Sequence, residues 1–293
     1  MPFSKLTIGP AMLKLYANTD QLPEVLKVPE QAKRFEDLYT GVQPGVYTAL
    51  RTFEQFKFLA LDHHLQRTAD SIVRLGWDYS FDQARMRRAL DLICRRGTGD
   101  RRIRIDVLAA PASAYGTDSR ELIACMPFTP PPESLYTQGA LTETCSAIQR
   151  VDPKAKTADF SLRRRAYASA DAAIHEQLLV DSQGRILEGF SSNFYAVGEG
   201  RLYTADEGVL DGTVRAIVLE LAAHAGVPVV LEAVPLEALR DIQEAAISSS
   251  SRGLMPVVRI NGRIIGNGRP GPVIKALMRS YRDYLRAQVK PAL

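Results

Sequence analysis

The chain has 293 residues, 46% of them hydrophobic and 24% charged, with a net charge of +4 and three cysteines. Those proportions belong to a folded globular protein and exclude a disordered one, and no apolar run approaches the roughly 20 residues that span a bilayer. Met1–Pro10 has one lysine and no apolar core, so no signal peptide is expected.

The length suits two domains or one large α/β unit. Cys94, Cys125 and Cys145 are widely spaced without a CxxC pair, which fits reduced, buried thiols in a cytoplasmic protein. The only close histidines are His63 and His64, so no metal site is expected. Arginines crowd Arg85–Arg104, and basic patches are the footprint of nucleic-acid binding. This stretch has no interleaved aromatics, and the reading preferred is a solvated helix face followed by a charged loop. A mild arginine excess also suits an enzyme with anionic ligands.

In chain order, the first forty residues give little beyond a helix-compatible stretch, Pro29–Tyr39. Val46–Phe53 reads as a strand, with Phe56–Leu59 as its hairpin partner after Glu54-Gln55. Asp62 is expected to cap a helix reaching about Leu75, stopped by Gly76, and Ser80-Phe81-Asp82 to open a second through about Cys94. Arg102–Ala109 and Leu122–Pro127 read as strands. Thr129-Pro130-Pro131-Pro132 is a stiff linker, because consecutive prolines join neither helix nor central strand.

That linker divides an expected N-terminal domain, residues 1–130, from a C-terminal one, 138–293, joined by 131–137. The second part begins with a strand, Ala140–Ile148, and a lysine segment, followed by an expected helix, Ser161–Glu176. Strands follow at Gln177–Val180, Asn193–Val197, Leu202–Thr204, Pro228–Leu231 and Ala245–Ser248. A helix from Thr213 ends at Gly226, Val257–Ile265 forms a hairpin through Asn261-Gly262, and an amphipathic helix runs from Pro272 to about Ala287. No internal repeat is visible.

The scarce residue is lysine. Between Lys57 and Lys275 only Lys154 and Lys156 occur, in DPKAKT. A Schiff-base lysine must be held rigidly and lose its proton readily, and a place between strand and helix meets the first need; a surface lysine is the alternative. In GRILEGFSSNF, alternation puts Glu188 on the face of Ile186, so it is either buried beside a cation such as a protonated pyridine nitrogen or an edge carboxylate in solvent. LDGTVR (210–215) opens a helix whose glycine-flanked amides suit a phosphate; ordinary capping by Asp211 is the other reading. Ser248–Ser251 with Arg252-Gly253 offers hydroxyls to the same anion, or is a flexible loop.

Taken in order, these segments resemble the class IV aminotransferases, the fold-type IV pyridoxal phosphate enzymes: branched-chain aminotransferases, D-amino-acid aminotransferases and aminodeoxychorismate lyase. GVYTALRTF (45–53) resembles the family's GVFE strand, DHHLQRTADS (62–71) its histidine–arginine helix, and PKAKT (153–157) its lysine segment. GRILEGFSSNFYAV (184–197), LDGTVR and EAAISSSSRGLMPV (244–257) match the remaining motifs, so the resemblance spans roughly Gly45–Tyr284.

It implies a mixed α/β, two-domain fold with a smaller N-terminal and a larger C-terminal domain, pyridoxal 5′-phosphate in between, and a homodimer. It implies that Lys156 carries the cofactor as a Schiff base and shuttles the proton. Glu188 pairs with the pyridine nitrogen, and Asn193 belongs to the same cofactor site. Arg67, Gly212, Thr213, Val214, Ser249 and Ser250 hold the phosphate. Tyr47 lines the substrate pocket. His63 and His64 are structural.

Arg102 and Arg104 share a strand face and either is a candidate receptor for a substrate carboxylate, Arg104 being the one taken forward, with solvent exposure expected for both. Phe160 stands where relatives have a tyrosine that contacts the ring hydroxyl. The implied reaction is transamination between an amino acid, branched-chain or similarly apolar, and a 2-oxo acid such as 2-oxoglutarate. The alternatives are an aminodeoxychorismate-type lyase, a D-amino-acid transaminase and a non-catalytic member of the fold; neither nucleic acid nor membrane is an expected partner.

Overall fold

Two strands absent from the sequence reading open the computed structural model, which describes residues 13–293. Lys14–Ala17 (β1) pairs antiparallel with Glu24–Leu26 (β2), burying Leu15 and Ala17. Met1–Pro10 lies outside the described residues. The helix-compatible stretch 29–39 yields only a 3₁₀ turn, Phe35–Tyr39, whose Phe35 and Leu38 pack under β1.

Val46–Phe53 (β3) turns at Glu54-Gln55, both at positive φ, into Lys57–Phe58 (β4). Helix Leu61–Arg74 (α1) begins one residue before the expected cap, after Ala60 at φ 48°. Asp62 does not cap it; its carboxylate accepts from Arg87 of the next helix. That helix, Gln83–Arg95 (α2), is capped as expected, the Asp82 carboxylate accepting from Arg85 N at 2.9 Å. Arg101–Val107 (β5) and Glu121–Pro127 (β6) complete a sheet on which α1 and α2 bury Leu65, Leu90, Ile103 and Ile123.

Beyond the prolines lie a helical turn, Ser134–Thr137 (α3), and strand Ala140–Cys145 (β7). The helix expected over Ser161–Glu176 is a correction: only Ala158–Arg163 (α4) is α-helical, a 3₁₀ turn follows at Arg164–Tyr167, and Ile174–Val180 (β8) is a strand. Side chain–backbone bonds break the helix, with Ala173 N donating to the Asp171 carboxylate and Asp171 N to Ser169 Oγ. Pairing with β7 and burial of Leu178, Leu179 and Val180 then favour the strand.

Next come Arg185–Gly189 (β9), Asn193–Gly198 (β10), Arg201–Tyr203 (β11), helix Thr213–His224 (α5), Val229–Val230 (β12), Val234–Pro235 (β13), Glu244–Ser249 (β14), Gly253–Ile260 (β15), Arg263–Ile264 (β16), helix Pro272–Gln288 (α6) and Lys290–Pro291 (β17). Asn261 and Gly262, at φ 50° and 75°, make the expected hairpin.

The first sheet runs β17-β4-β3-β5-β6-β1-β2 and the second β12-β11-β10-β14-β15-β7-β8-β9-β13. In the second, Asn193 also pairs with Glu188, so β10-β14-β15-β7-β8-β9 closes on itself at these two residues. Alternation along β10 sends Phe194 and Ala196 into one core and Tyr195 and Val197 into another beneath α5 and α6. The lysine segment is tied to the first sheet by backbone bonds to β3: Tyr47 N donates to Lys156 O at 2.9 Å and Ala158 N to Gly45 O at 2.8 Å.

Candidate active site

The candidate cofactor and substrate residues Tyr47, Arg67, Arg104, Lys156, Glu188, Asn193, Gly212, Thr213, Val214, Ser249 and Ser250 all border one cavity of about 380 Å³, whereas His63, His64 and Phe160 do not line it. Lys156 reaches it from the segment tied to β3. Burial depresses its ammonium to about 7; Tyr47 opposes the shift, while Arg67, Arg150 and Arg164 add to it. Its Nζ lies 4.8 Å from the ring centroid of Tyr47. Burial pushes the Tyr47 phenol up, but Lys156, Arg164, Arg104 and Arg150 outweigh it and bring the phenol down to about 7.

Glu188 is buried, as its shared face with Ile186 requires. Its Oε1 accepts from Arg150 Nε at 2.5 Å and its Oε2 from Leu210 N at 3.2 Å and Asn193 Nδ2 at 3.4 Å. Asn193 Nδ2 also donates to Leu210 O at 2.9 Å. A Cβ on Gly212 would stand 2.0 Å from Asn193 Oδ1, so glycine is required where this loop crosses the strand. Gly212 is the N-cap of α5, and Thr213 and Val214 form its first turn. Asp211 instead pairs with Lys154 at 2.9 Å.

Arg67 projects from α1 towards that turn. It donates to Asp211 O at 3.0 Å and Thr48 Oγ1 at 3.1 Å, and its buried Nε has no partner among the described residues. Burial lowers it to about 10. An unpaired guanidinium beside a helix N-terminus is an anion site. His63 bonds Thr213 Oγ1 at 3.0 Å and His64 bonds Thr48 Oγ1 at 2.8 Å, which gives both histidines structural partners. Ser250 Oγ reaches His64 Nε2 at 3.4 Å, and Ser249 Oγ accepts from Arg252 Nε at 3.1 Å.

Arg104 departs from its expected exposure: its side chain is 2% exposed. Nε donates to both Asp106 oxygens at 3.0 and 3.1 Å, Nη1 to Glu36 and Ser161 at 3.4 Å, and Nη2 to the Tyr39 hydroxyl. The guanidinium stacks on Tyr47 at 3.7 Å. Arg150, which covers Phe160 at 4.1 Å, and Arg164 also line the cavity, and no sequence signal singled them out. A third omission is the pair of Arg252 with buried Glu176 at 2.7 Å. Arg252 alone carried a signal, as the cation ending the serine run.

A family model described as "Amino-transferase class IV" matches residues 45–260. The chain belongs to the class IV aminotransferases. It is therefore a pyridoxal-phosphate enzyme that transfers amino groups. D-alanine aminotransferase of Bacillus licheniformis is 26% identical over 268 residues, which cover 88% of this chain and 94% of that protein. The fold is similar to that of the T.th. branched-chain amino acid aminotransferase complexed with N-(5′-phosphopyridoxyl)-L-glutamate, with 21% identity, a TM-score of 0.75 and coverage of 96% and 98%. It is likewise similar to the branched-chain amino acid aminotransferase from Escherichia coli, with 20% identity, a TM-score of 0.74 and coverage of 95% and 98%.

The residues of this aminotransferase fit the cofactor. Arg67 would offer its buried Nε to a phosphate at the start of α5, Gly212 would keep the backbone open there, and the buried Glu188 carboxylate would suit a cationic ring nitrogen. Among the described residues no group of side chains could hold a metal ion, and no helix is long and apolar enough to cross a membrane.

Proposed function

We propose that this aminotransferase exchanges an amino group between an α-amino acid and a 2-oxo acid, with Lys156 as its catalytic base. Pyridoxal phosphate, when bound, supplies an electron-withdrawing ring that stabilises charge on the substrate α-carbon. Lys156 is the residue that anchors it and moves the α-proton. With its ammonium at about 7, the amine is free to take a proton near neutral pH.

Glu188 keeps the ring nitrogen protonated, and Asn193, through Leu210, fixes the orientation of that carboxylate. Arg67, the α5 amides of Thr213 and Val214, and Ser249 and Ser250 receive the phosphate. Tyr47 forms the substrate wall. The observation that carries this reading is the convergence of Lys156, Glu188 and the unpaired Arg67 on one cavity, from three separate segments. The similarity to a D-alanine aminotransferase and to branched-chain aminotransferases supports α-amino acids as donors without fixing a side chain.

The test is the visible spectrum of the protein reconstituted with pyridoxal phosphate. A borohydride-trappable band that vanishes in Lys156→Ala and bleaches with an amino donor is the expected outcome. A band that survives in Lys156→Ala refutes the anchor. Recovery of the band on adding a 2-oxo acid separates transamination from elimination.

The working unit we propose is a cytoplasmic homodimer of two-domain subunits, divided at 131–137. The break between β6, ending at Pro127 in the first sheet, and β7, beginning at Ala140 in the second, supports the division, with β17 returning to the edge of the first sheet, and the buried free thiols Cys94 and Cys125 support a reducing compartment.

A further inference from the structure

Glu176 lies on β8, buried behind the cavity wall rather than bordering the cavity. Its Oε1 accepts from Gln177 N at 3.2 Å. Its Oε2 gathers donors from two separate turns. Ser191 Oγ at 2.6 Å and Ser192 Oγ at 3.0 Å belong to the turn between β9 and β10, and Arg252 Nη2 at 2.7 Å to the turn between β14 and β15. The packing leaves no room at Gly189, where a Cβ would stand 2.8 Å from Glu176 Cγ and 2.2 Å from Ser192 Oγ. Burial pushes the Glu176 carboxyl up, but Arg252 and the Ser191 hydroxyl outweigh it and hold the carboxyl below its usual range, so it stays ionised.

Arg252 passes this fixation on. Its Nη2 also donates to Ser191 Oγ at 2.6 Å, its carbonyl accepts from the Tyr136 hydroxyl at 2.7 Å, and its Nε donates to Ser249 Oγ at 3.1 Å. A hydroxyl has one proton and two lone pairs. One lone pair of Ser249 is taken by Arg252, and among the described residues its proton has no acceptor. The O–H is therefore free to donate into the cavity that Ser249 borders.

We propose that Glu176 is a positioning residue for the cofactor's phosphate, acting through Arg252 to set the Ser249 hydroxyl as a donor into the cavity. This rests on the reading above, in which Ser249 and Ser250 receive the phosphate. The same ion pair takes the charge of Arg252 out of competition with Arg67 for the anion. Ser191 and Ser192 stand between Glu188 and Asn193 in the chain, so one carboxylate also fixes the ring-nitrogen site relative to the serines. An ion pair that only stabilised the fold would be felt alike by ligands with and without a phosphate.

The experiment titrates the folded apoprotein with pyridoxal phosphate and with pyridoxal, which differ only in the phosphate, following the visible band. Glu176→Gln keeps the shape of the side chain and removes its charge. It is expected to weaken pyridoxal phosphate by about 5–10-fold, the scale of one hydrogen bond, and to leave pyridoxal unchanged. Ser249→Ala removes the last member of the relay without disturbing the buried pair, and is expected to show the same phosphate-selective loss even where a Glu176 variant fails to fold. In the Ser249→Ala background, Glu176→Gln should cause no further loss, because both act on one contact.

Equal weakening of the two ligands by Glu176→Gln overturns the positioning role. So does a Ser249→Ala protein that keeps the wild-type preference for the phosphorylated ligand, or additive losses in the double variant. A wild type that does not prefer pyridoxal phosphate to pyridoxal removes the phosphate site, and with it both the reading above and the relay. A wild type with that preference and an unselective Glu176→Gln removes the relay alone.

Discussion

On the second-sheet side of the cavity, Glu188 is held by one cation, Arg150, and by amide groups of Asn193 and Leu210. Glu188 and Asn193 face each other across β9 and β10 and share the Leu210 backbone, and Gly212 follows two residues later. On the first-sheet side, Arg104 draws on Glu36, Tyr39, Asp106 and Ser161, and Tyr47 is held against Lys156. Both sides bury charge, but they differ in what is left when a partner goes. Beside Glu188 the orphan would be an arginine, which cannot give up its proton. Beside Arg104 it would be Asp106, whose carboxyl is already pushed up by burial and can take a proton instead.

That difference is open to direct test. Glu188→Ala should have the largest effect, because Arg150 would stay charged and buried without a partner; about 3–5 kcal/mol of stability should be lost. Equilibrium denaturation of the apoprotein measures it. Arg104→Met should cost less, about 2–3 kcal/mol near neutral pH, and its deficit should shrink in acid as Asp106 protonates. A deficit that instead grows as pH falls would contradict the proposed asymmetry. Gly212→Ala should come next: with a Cβ 2.0 Å from Asn193 Oδ1, the loop must move, for about 1–3 kcal/mol. Weaker pyridoxal phosphate binding, read by titration of the visible band, should accompany the loss.

The same contrast explains what could be read from the chain. Glu188, Asn193, Gly212 and Thr213 sit in short motifs whose spacing is their geometry, although alternation left Glu188 open between burial and solvent until the motif order was considered. Arg104 looked like an exposed strand residue because part of its shell is remote in the chain: Glu36 and Tyr39 lie in the unreadable first forty residues and Ser161 beyond the lysine segment. Arg150 and Arg164 flank the lysine segment at positions without any pattern. The failure over Ser161–Glu176 has the same origin. Ala-rich composition favoured a helix locally, and only pairing with β7 and the bonds of Ser169 and Asp171 reveal the turn and strand. β1 was missed because four residues carry too little alternation; β6 supplies the partner that makes them a strand.

The last test concerns the contact where the two sides meet. In the folded apoprotein Lys156 and Tyr47 both lie at about 7, below their ordinary values of 10.5 and 10.0. Between about pH 7 and 10 each therefore carries fewer protons when folded than when unfolded. The unfolded chain binds the excess, so stability should rise with pH across this window, by at most about 1.4 kcal/mol per pH unit for each group. Below pH 7 both states hold the protons and this contribution to the slope vanishes. Tyr47→Phe should flatten the rise without abolishing it, since burial alone still depresses Lys156. The check is denaturant midpoints of wild type and Tyr47→Phe at intervals across the window, together with titration of the near-ultraviolet phenolate band. A wild-type slope no steeper than that of the variant would mean that Tyr47 keeps its proton, and that the cations around it act on Lys156 alone.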